Sequence, residues 1–175
     1  MKRLIVISGP PCSGKSTLGE ALSRVESIPH FEMDQVRVRL LPEGPHTRAT
    51  RRVAYRAMHM LAEALLRRDQ SVIVNACYGH REDREEIEAV ARTTGASLYL
   101  IECRVTAETA IARAAARSGR HPGTDLTPVR VRELVDSFPF TSAGLTVDSE
   151  TEVEACLEQV KRHLHGSWVP IRTAP

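Results

Sequence analysis

Eight residues near the amino terminus, Gly9–Pro10–Pro11–Cys12–Ser13–Gly14–Lys15–Ser16, satisfy the pattern G-x-x-x-x-G-K-[ST] at every fixed position. Each part of that pattern has a chemical use. The glycines let the backbone wrap so that successive N–H groups point inward at phosphate oxygens. A helix beginning at the end of the loop adds its positive terminus to the same anion. Lys15 is spaced to reach β- and γ-phosphates, and the Ser16 hydroxyl to ligate magnesium. Thr17, on the first helical turn, can donate to a more distal phosphate. ATP and Mg2+ are therefore the expected cofactors. The Cys12 side chain is not needed for the cradle and is expected to be a small filler.

Such a loop works only if a strand delivers it and a helix leaves it, and the flanking sequence supplies both. Leu4–Ile7 is a buried-strand run, and residues 15–26 place Leu18, Ala21, Leu22 and Val25 at helical spacing. His30–Met33 is a weak second strand that is expected to end at Asp34. Residues 48–68 form the longest helical pattern, with Val53, Ala57, Met60, Leu61, Ala64 and Leu65 expected on the buried face. Ser71–Ala76 and Ser97–Val105 read as strands, residues 81–94 and 106–117 as helices. A polar stretch at 118–126 is expected to be a lid. Thr127–Pro128 starts a helix that runs to about Ser137, with cap and proline in the favoured order. Leu145–Val147 is a last strand, and Thr151-x-x-Glu154 resembles a capping box opening a helix closed by Gly166. A tail carrying Trp168 follows and is expected to be extended. Strand and helix alternate about five times, which implies an α/β fold with a parallel sheet covered on both faces. One domain spanning 1–175 is the expected organisation.

Composition narrows the classes. The chain has 175 residues, 42% apolar and 26% charged, with a net charge of +2. Collagen-like, disordered and low-complexity readings fail on those proportions. No apolar run approaches the length of a membrane span. The amino-terminal apolar run is too short for a secretory leader and lacks a cleavage site, so the cytoplasm is the expected location. All but three of the 24 basic residues are arginine, a residue suited to phosphate but also common by codon bias. Cys12, Cys77, Cys103 and Cys156 show no zinc spacing and read as free thiols.

With the loop placed, residues 2–164 resemble a small P-loop kinase, of the group containing polynucleotide 5′-kinase domains, zeta toxins, chloramphenicol phosphotransferase and AAA-type small kinases. The resemblance implies a P-loop NTPase fold with a five-stranded parallel sheet and a small lid. Asp34–Gln35–Val36–Arg37 resembles the D-x-x-R of the polynucleotide kinases. It implies Asp34 as the base that accepts the acceptor's hydroxyl proton, and Arg37 as an acceptor contact. Relatives often end the third strand in a carboxylate; here the position is Asn75, an amide that can orient an acceptor or a metal-bound water. Arg81, and with it Arg84, occupies a place where related kinases hold the acceptor. Arg113 and Arg117 are four residues apart, on one helical face at the lid entrance, and resemble the R-x-x-x-R of kinase lids. That likeness gives Arg117 to the β/γ-phosphates, Arg113 to the adenine and Arg120 to a weaker phosphate contact. His121 reads as a loop residue.

Arg48, Arg52 and Arg56 recur every four residues and are either a basic binding stripe or a solvent face. Few aromatics are present, and none interleaves with these arginines, so a base-stacking surface is not supported. The expected activity is transfer of the γ-phosphate of ATP to a hydroxyl, on a small molecule in preference to a nucleic-acid 5′ end. A nucleotide-dependent switch or assembly ATPase is the alternative.

Overall fold

The structure, a computed structural model, describes residues 1–117 and 126–166. The expected lid, except for Leu126, and the tail with Trp168 lie outside them. In chain order the elements are β1 (Arg3–Ser8), α1 (Lys15–Glu26), β2 (His30–Glu32), α2 (Met33–Leu40), α3 (Arg48–Leu66) and β3 (Val72–Asn75). They continue with α4 (Arg81–Thr94), β4 (Ser97–Arg104), α5 (Ala107–Ala116), α6 (Pro128–Asp136), β5 (Leu145–Asp148) and α7 (Val153–His165).

The five strands form one parallel sheet in the order β2-β3-β1-β4-β5. Its centre is built from continuous apolar runs: Leu4, Ile5, Ile7, Val72, Ile73 and Val74 are fully buried. Strands buried on both faces need this composition rather than alternation. One face carries α3 and α4 over Leu4, Val6, Val72 and Val74. The other carries α1 and α7 over Ile5, Ile7, Ile73 and Val147. The order reverses beside β1: β3 lies on one side and β4 on the other. A crevice opens at that point along the carboxyl edge, where doubly wound sheets bind ligands.

Three local expectations are corrected. First, β2 ends at Glu32, and Met33 turns inward at 4% exposure to start α2. Asp34 is therefore in the first turn of a helix and not at a strand end. Second, the face of α3 that packs on the core is Ala54, Tyr55, Met58, His59, Ala62 and Leu66. Val53, Met60 and Leu61 are 50%, 70% and 45% exposed. Rings decide this orientation. Tyr78 is fully buried, His59 stacks on it and Tyr55 meets it edge-on, with the Tyr55 hydroxyl accepting the Tyr78 N–H at 3.0 Å. Third, Thr151 does not cap α7; its hydroxyl donates to the Asp148 carbonyl at 2.7 Å and closes the turn after β5. Glu152 occupies the cap position without a side-chain bond.

The arginine stripe is neither a free binding surface nor a plain solvent face. Arg48 grips buried Asp83 through two bonds of 2.6 and 3.0 Å, and Arg52 reaches Glu86 at 2.7 Å. These pairs lock α3 to α4. Among the described residues, no helix is long and apolar enough to cross a membrane.

Candidate active site

The cradle forms where β1 hands the chain to α1. Gly9 has φ +151°, and a Cβ there would lie 2.6 Å from the Cys103 carbonyl oxygen and 2.7 Å from Ser13 Oγ. Gly14 takes the left-handed φ of +78° at the cap of α1. A side chain at either position is strained, which is the physical content of the pattern's two glycines. Lys15 Nζ lies along the inside of the loop, donating to the Pro10 carbonyl at 2.7 Å and to Ser13 Oγ at 3.4 Å. Cys12 packs with Ala110 and Val131 beneath α5 and α6. Burial pushes its thiol up from the usual cysteine value, as expected of a filler rather than a reactive thiolate.

Two cavities meet at this loop. One, of about 130 Å³, is lined by Ser13, Gly14, Lys15 and Ser16 of the loop together with Glu32, Asp34, His46 and Arg51. Asn75, Cys77, Arg117 and Arg130 complete its walls. The second, of about 370 Å³, runs from Gly14 and Thr17 past Arg113 to the turn at Ser149–Val153. Arg117 borders both. It stands just past the end of α5, and Arg113, one turn earlier, lines the second cavity with it.

Arg113 is tightly held. Its guanidinium donates to the Cys12 carbonyl at 3.3 Å and to the Ser149 carbonyl at 2.5 Å, tying the cradle to the turn after β5. The next residue, Glu150, accepts from the Thr106 amide and hydroxyl at 2.8 and 2.5 Å. Those donors hold its carboxyl down at about 2. This turn is thus a fixed wall of the second cavity.

Glu32 is the residue that sequence reasoning missed. Ser16 Oγ donates to Glu32 Oε1 at 2.7 Å, and Gln35 Nε2 donates to Glu32 Oε2 at 3.0 Å. Glu32 is the register partner of Asn75 on the neighbouring strand. The carboxylate absent from the end of β3 therefore stands one strand over. A glutamate two residues before the D-x-x-R was the available signal, hidden by taking the strand past its end.

Asn75 is buried at 2% exposure, and its amide nitrogen faces His30 Nε2 at 3.0 Å. An amide nitrogen only donates, so Nε2 accepts and the ring proton sits on Nδ1. Burial lowers the His30 pKa and favours this neutral form. Asn75 also lines the first cavity.

Other expected contacts fall elsewhere. Arg37 is 2% exposed and does not line the cavity; it bonds the His46 ring, which does. Any effect of Arg37 on an acceptor therefore passes through His46. Arg81 points to solvent, 84% exposed, and pairs with Glu85 at 2.6 Å. Arg84 donates to the Tyr78 carbonyl at 2.6 Å and lines a separate apolar cavity with Val6, Ile87 and Leu98. Neither arginine is brought to the site, because α4 turns its first-turn cations away from the crevice when Asp83 and Ile87 go inward. Arg120 and His121 lie outside the described residues.

Among the described residues, no group of three or more histidine, cysteine or acidic side chains forms a ready-made metal cage. The oxygen donors Ser16, Glu32, Asp34 and Asn75 nevertheless suit a hard cation that completes its shell with phosphates and water. The Ser16 proton is given to Glu32, which leaves the hydroxyl lone pairs for such an ion.

Solved structures share this architecture. A provisionally assigned kinase from Chloroflexus aurantiacus superposes with a TM-score of 0.79 at 22% identity, covering 94% of this chain and 99% of that one. The APS kinase CysC of Mycobacterium tuberculosis, in complex with AMPPNP and APS, gives 0.73 at 17%, covering 94% and 98%. Shikimate kinase of Aquifex aeolicus gives 0.69 at 19%, covering 93% and 96%. A search of curated proteins gave no match. At these identities the likeness establishes the small P-loop kinase fold. The sequence match is broader in kind: it runs over residues 4–139, from β1 to the turn after α6, and places the chain in the AAA domain family.

Proposed function

We propose that this protein is an ATP- and magnesium-dependent phosphotransferase that moves the γ-phosphoryl group to a hydroxyl of a small molecule. One observation carries the reading: Asp34 lines the same cavity as Lys15 and Ser16 of the phosphate cradle. A nucleotide switch needs the cradle. It has no need of a second carboxylate, beyond the one bound to Ser16, facing the γ-phosphate position.

The roles follow from placement. The loop amides and the amino terminus of α1 hold the nucleotide's phosphates. Lys15 supplies a point charge to the β/γ-oxygens, and Arg117, at the junction of the two cavities, spreads its guanidinium over the moving group. The second cavity receives the base and ribose, with Thr17 and Arg113 on its walls. Ser16 and Glu32, with the Asn75 carbonyl, would hold Mg2+, which supplies charge neutralisation on the phosphates. Asp34 receives the hydroxyl proton as the acceptor oxygen attacks. The oxygen–phosphorus bond forms while the bridge to the β-phosphate breaks, and ADP departs. The shikimate kinase and APS kinase of the same fold are named for small-molecule acceptors, which supports the acceptor class.

The experiment is a transfer assay with γ-labelled ATP and a panel of small hydroxyl compounds. Label appearing in an acceptor supports the proposal. ATP hydrolysis that no hydroxyl compound alters, and that a protein partner stimulates, would favour the switch instead.

A further inference from the structure

We infer that the outer side of α3 is the contact surface for a second copy of this chain, two α3 helices packing antiparallel about a twofold axis beside Met60.

α3 is apolar on two sides. Ala54, Met58, Ala62 and Leu66 pack on the sheet and account for the core. Val53, Ala57, Met60 and Ala64 recur on the other side at intervals of four, three and four residues, and Leu61 widens the stripe. Alternating steps of four and three are the seam by which one helix packs along another. The structure leaves this seam in water. Met60 is 70% exposed, Val53 and Leu61 are about half exposed, and Ala64 is exposed. A helix that is apolar on opposite sides has the composition of one enclosed on both. Burying the outer seam removes that apolar surface from water.

Size and charge along the seam select the occupant. Set against a second copy running the other way, Ala57 comes opposite Met60 and Val53 opposite Ala64. Each layer then joins a small side chain to a larger one, so the two helices interdigitate. A parallel pair would stack Met60 on Met60 and Ala57 on Ala57, with layers of unequal width. Arg56 and Glu63 each stand one residue before a seam alanine, on the same flank. The antiparallel arrangement brings Arg56 of one copy beside Glu63 of the other, and the twofold repeats the contact. Both groups are free to turn. Arg56 is two-thirds exposed and only 3.9 Å from Glu86, and Glu63 holds Arg67 in an exposed pair. Exposed pairs contribute little and rearrange at little cost. A net charge of +2 sets little repulsion between two copies. One helix from each copy makes a small interface, so the dimer is expected in the micromolar range.

Sedimentation velocity of the full chain, from low to high micromolar concentration, is expected to show a monomer–dimer equilibrium. Met60→Lys is expected to raise the dissociation constant about 100-fold, because two methionines leave a buried axis. Arg56→Glu and Glu63→Arg each set like charges at both contacts and are each expected to raise it about 10-fold. An equimolar mixture of these two variants restores opposite charges at both contacts and is expected to associate as the wild type does. The mixture also answers for folding, since two misfolded chains would not recover together. A wild type that stays monomeric overturns the inference. So does a dimer indifferent to Met60→Lys, or a pair of weakened variants that fail to complement. Trp168, the one tryptophan, reports on another occupant. A monomer whose Trp168 emission shifts on Met60→Lys would give the seam to the carboxyl-terminal tail and overturn the second copy.

Discussion

Ser16 Oγ donates to Glu32 Oε1 at 2.7 Å, joining the first turn of α1 to the end of β2. The bond separates two carboxylates that lie two residues apart. Glu32 faces the cradle's serine, while Asp34, one step into α2, faces the open cavity. Their substitutions should therefore fail differently. Asp34→Asn is expected to keep ATP affinity and lower turnover by about 10²–10⁴-fold, the scale for a lost general base. Glu32→Gln is expected to raise the magnesium needed for half-maximal rate and to weaken nucleotide binding. Initial rates over a magnesium titration at saturating acceptor separate the two. Near-normal turnover of Asp34→Asn would remove the proposed base.

Lys15→Ala is expected to weaken ATP binding and abolish transfer, because the β/γ-oxygens lose their point cation. The Lys15 amine also donates to the Pro10 carbonyl, so the loop loses an internal brace. Calorimetric ATP titration with a transfer assay checks this, and unchanged turnover would contradict the cradle's role.

Asp83 is fully buried and held by Arg48 through both carboxylate oxygens. Asp83→Ala is expected to cost about 2–3 kcal/mol of stability, since a buried ion pair loses one member while Arg48 keeps partial access to water. Arg67→Ala removes an exposed pair with Glu63 and is expected to change stability by no more than about 0.5 kcal/mol. Urea unfolding midpoints compare them.

Burial holds His59 neutral, lowering its pKa from 6.5 to about 4. In the unfolded chain the ring takes its proton near pH 6.5, so between 6.5 and 4 the unfolded state binds more protons. The contribution to stability is complete above that window and is lost as pH falls through it, by about 2 kcal/mol at pH 5. His59→Gln is expected to lose less stability than wild type between pH 7.5 and 5.0 by roughly this amount. Paired urea titrations at the two pH values check the sign. A wild-type loss no larger than the variant's would show that His59 charges freely in the folded state.

The sequence by itself determined whatever is written in contiguous residues. The cradle is local: Gly9 and Gly14 need the backbone angles that only glycine takes without strain, and the helix bounds 15–26 and 81–94 follow from periodicity. Continuous apolar runs specified a parallel sheet, and their alternation with helices its class. Tertiary structure decided the rest, because it depends on partners distant in the chain. Glu32 gained a role only when β2 was set beside β3, opposite Asn75. Arg48 and Arg52 were drawn to α4 by acids more than 30 residues away and by the packing of Tyr55 and His59 on Tyr78. Spacing along one helix states which residues share a face. It does not state which face meets another element, since that follows from charge and shape supplied by the element it meets.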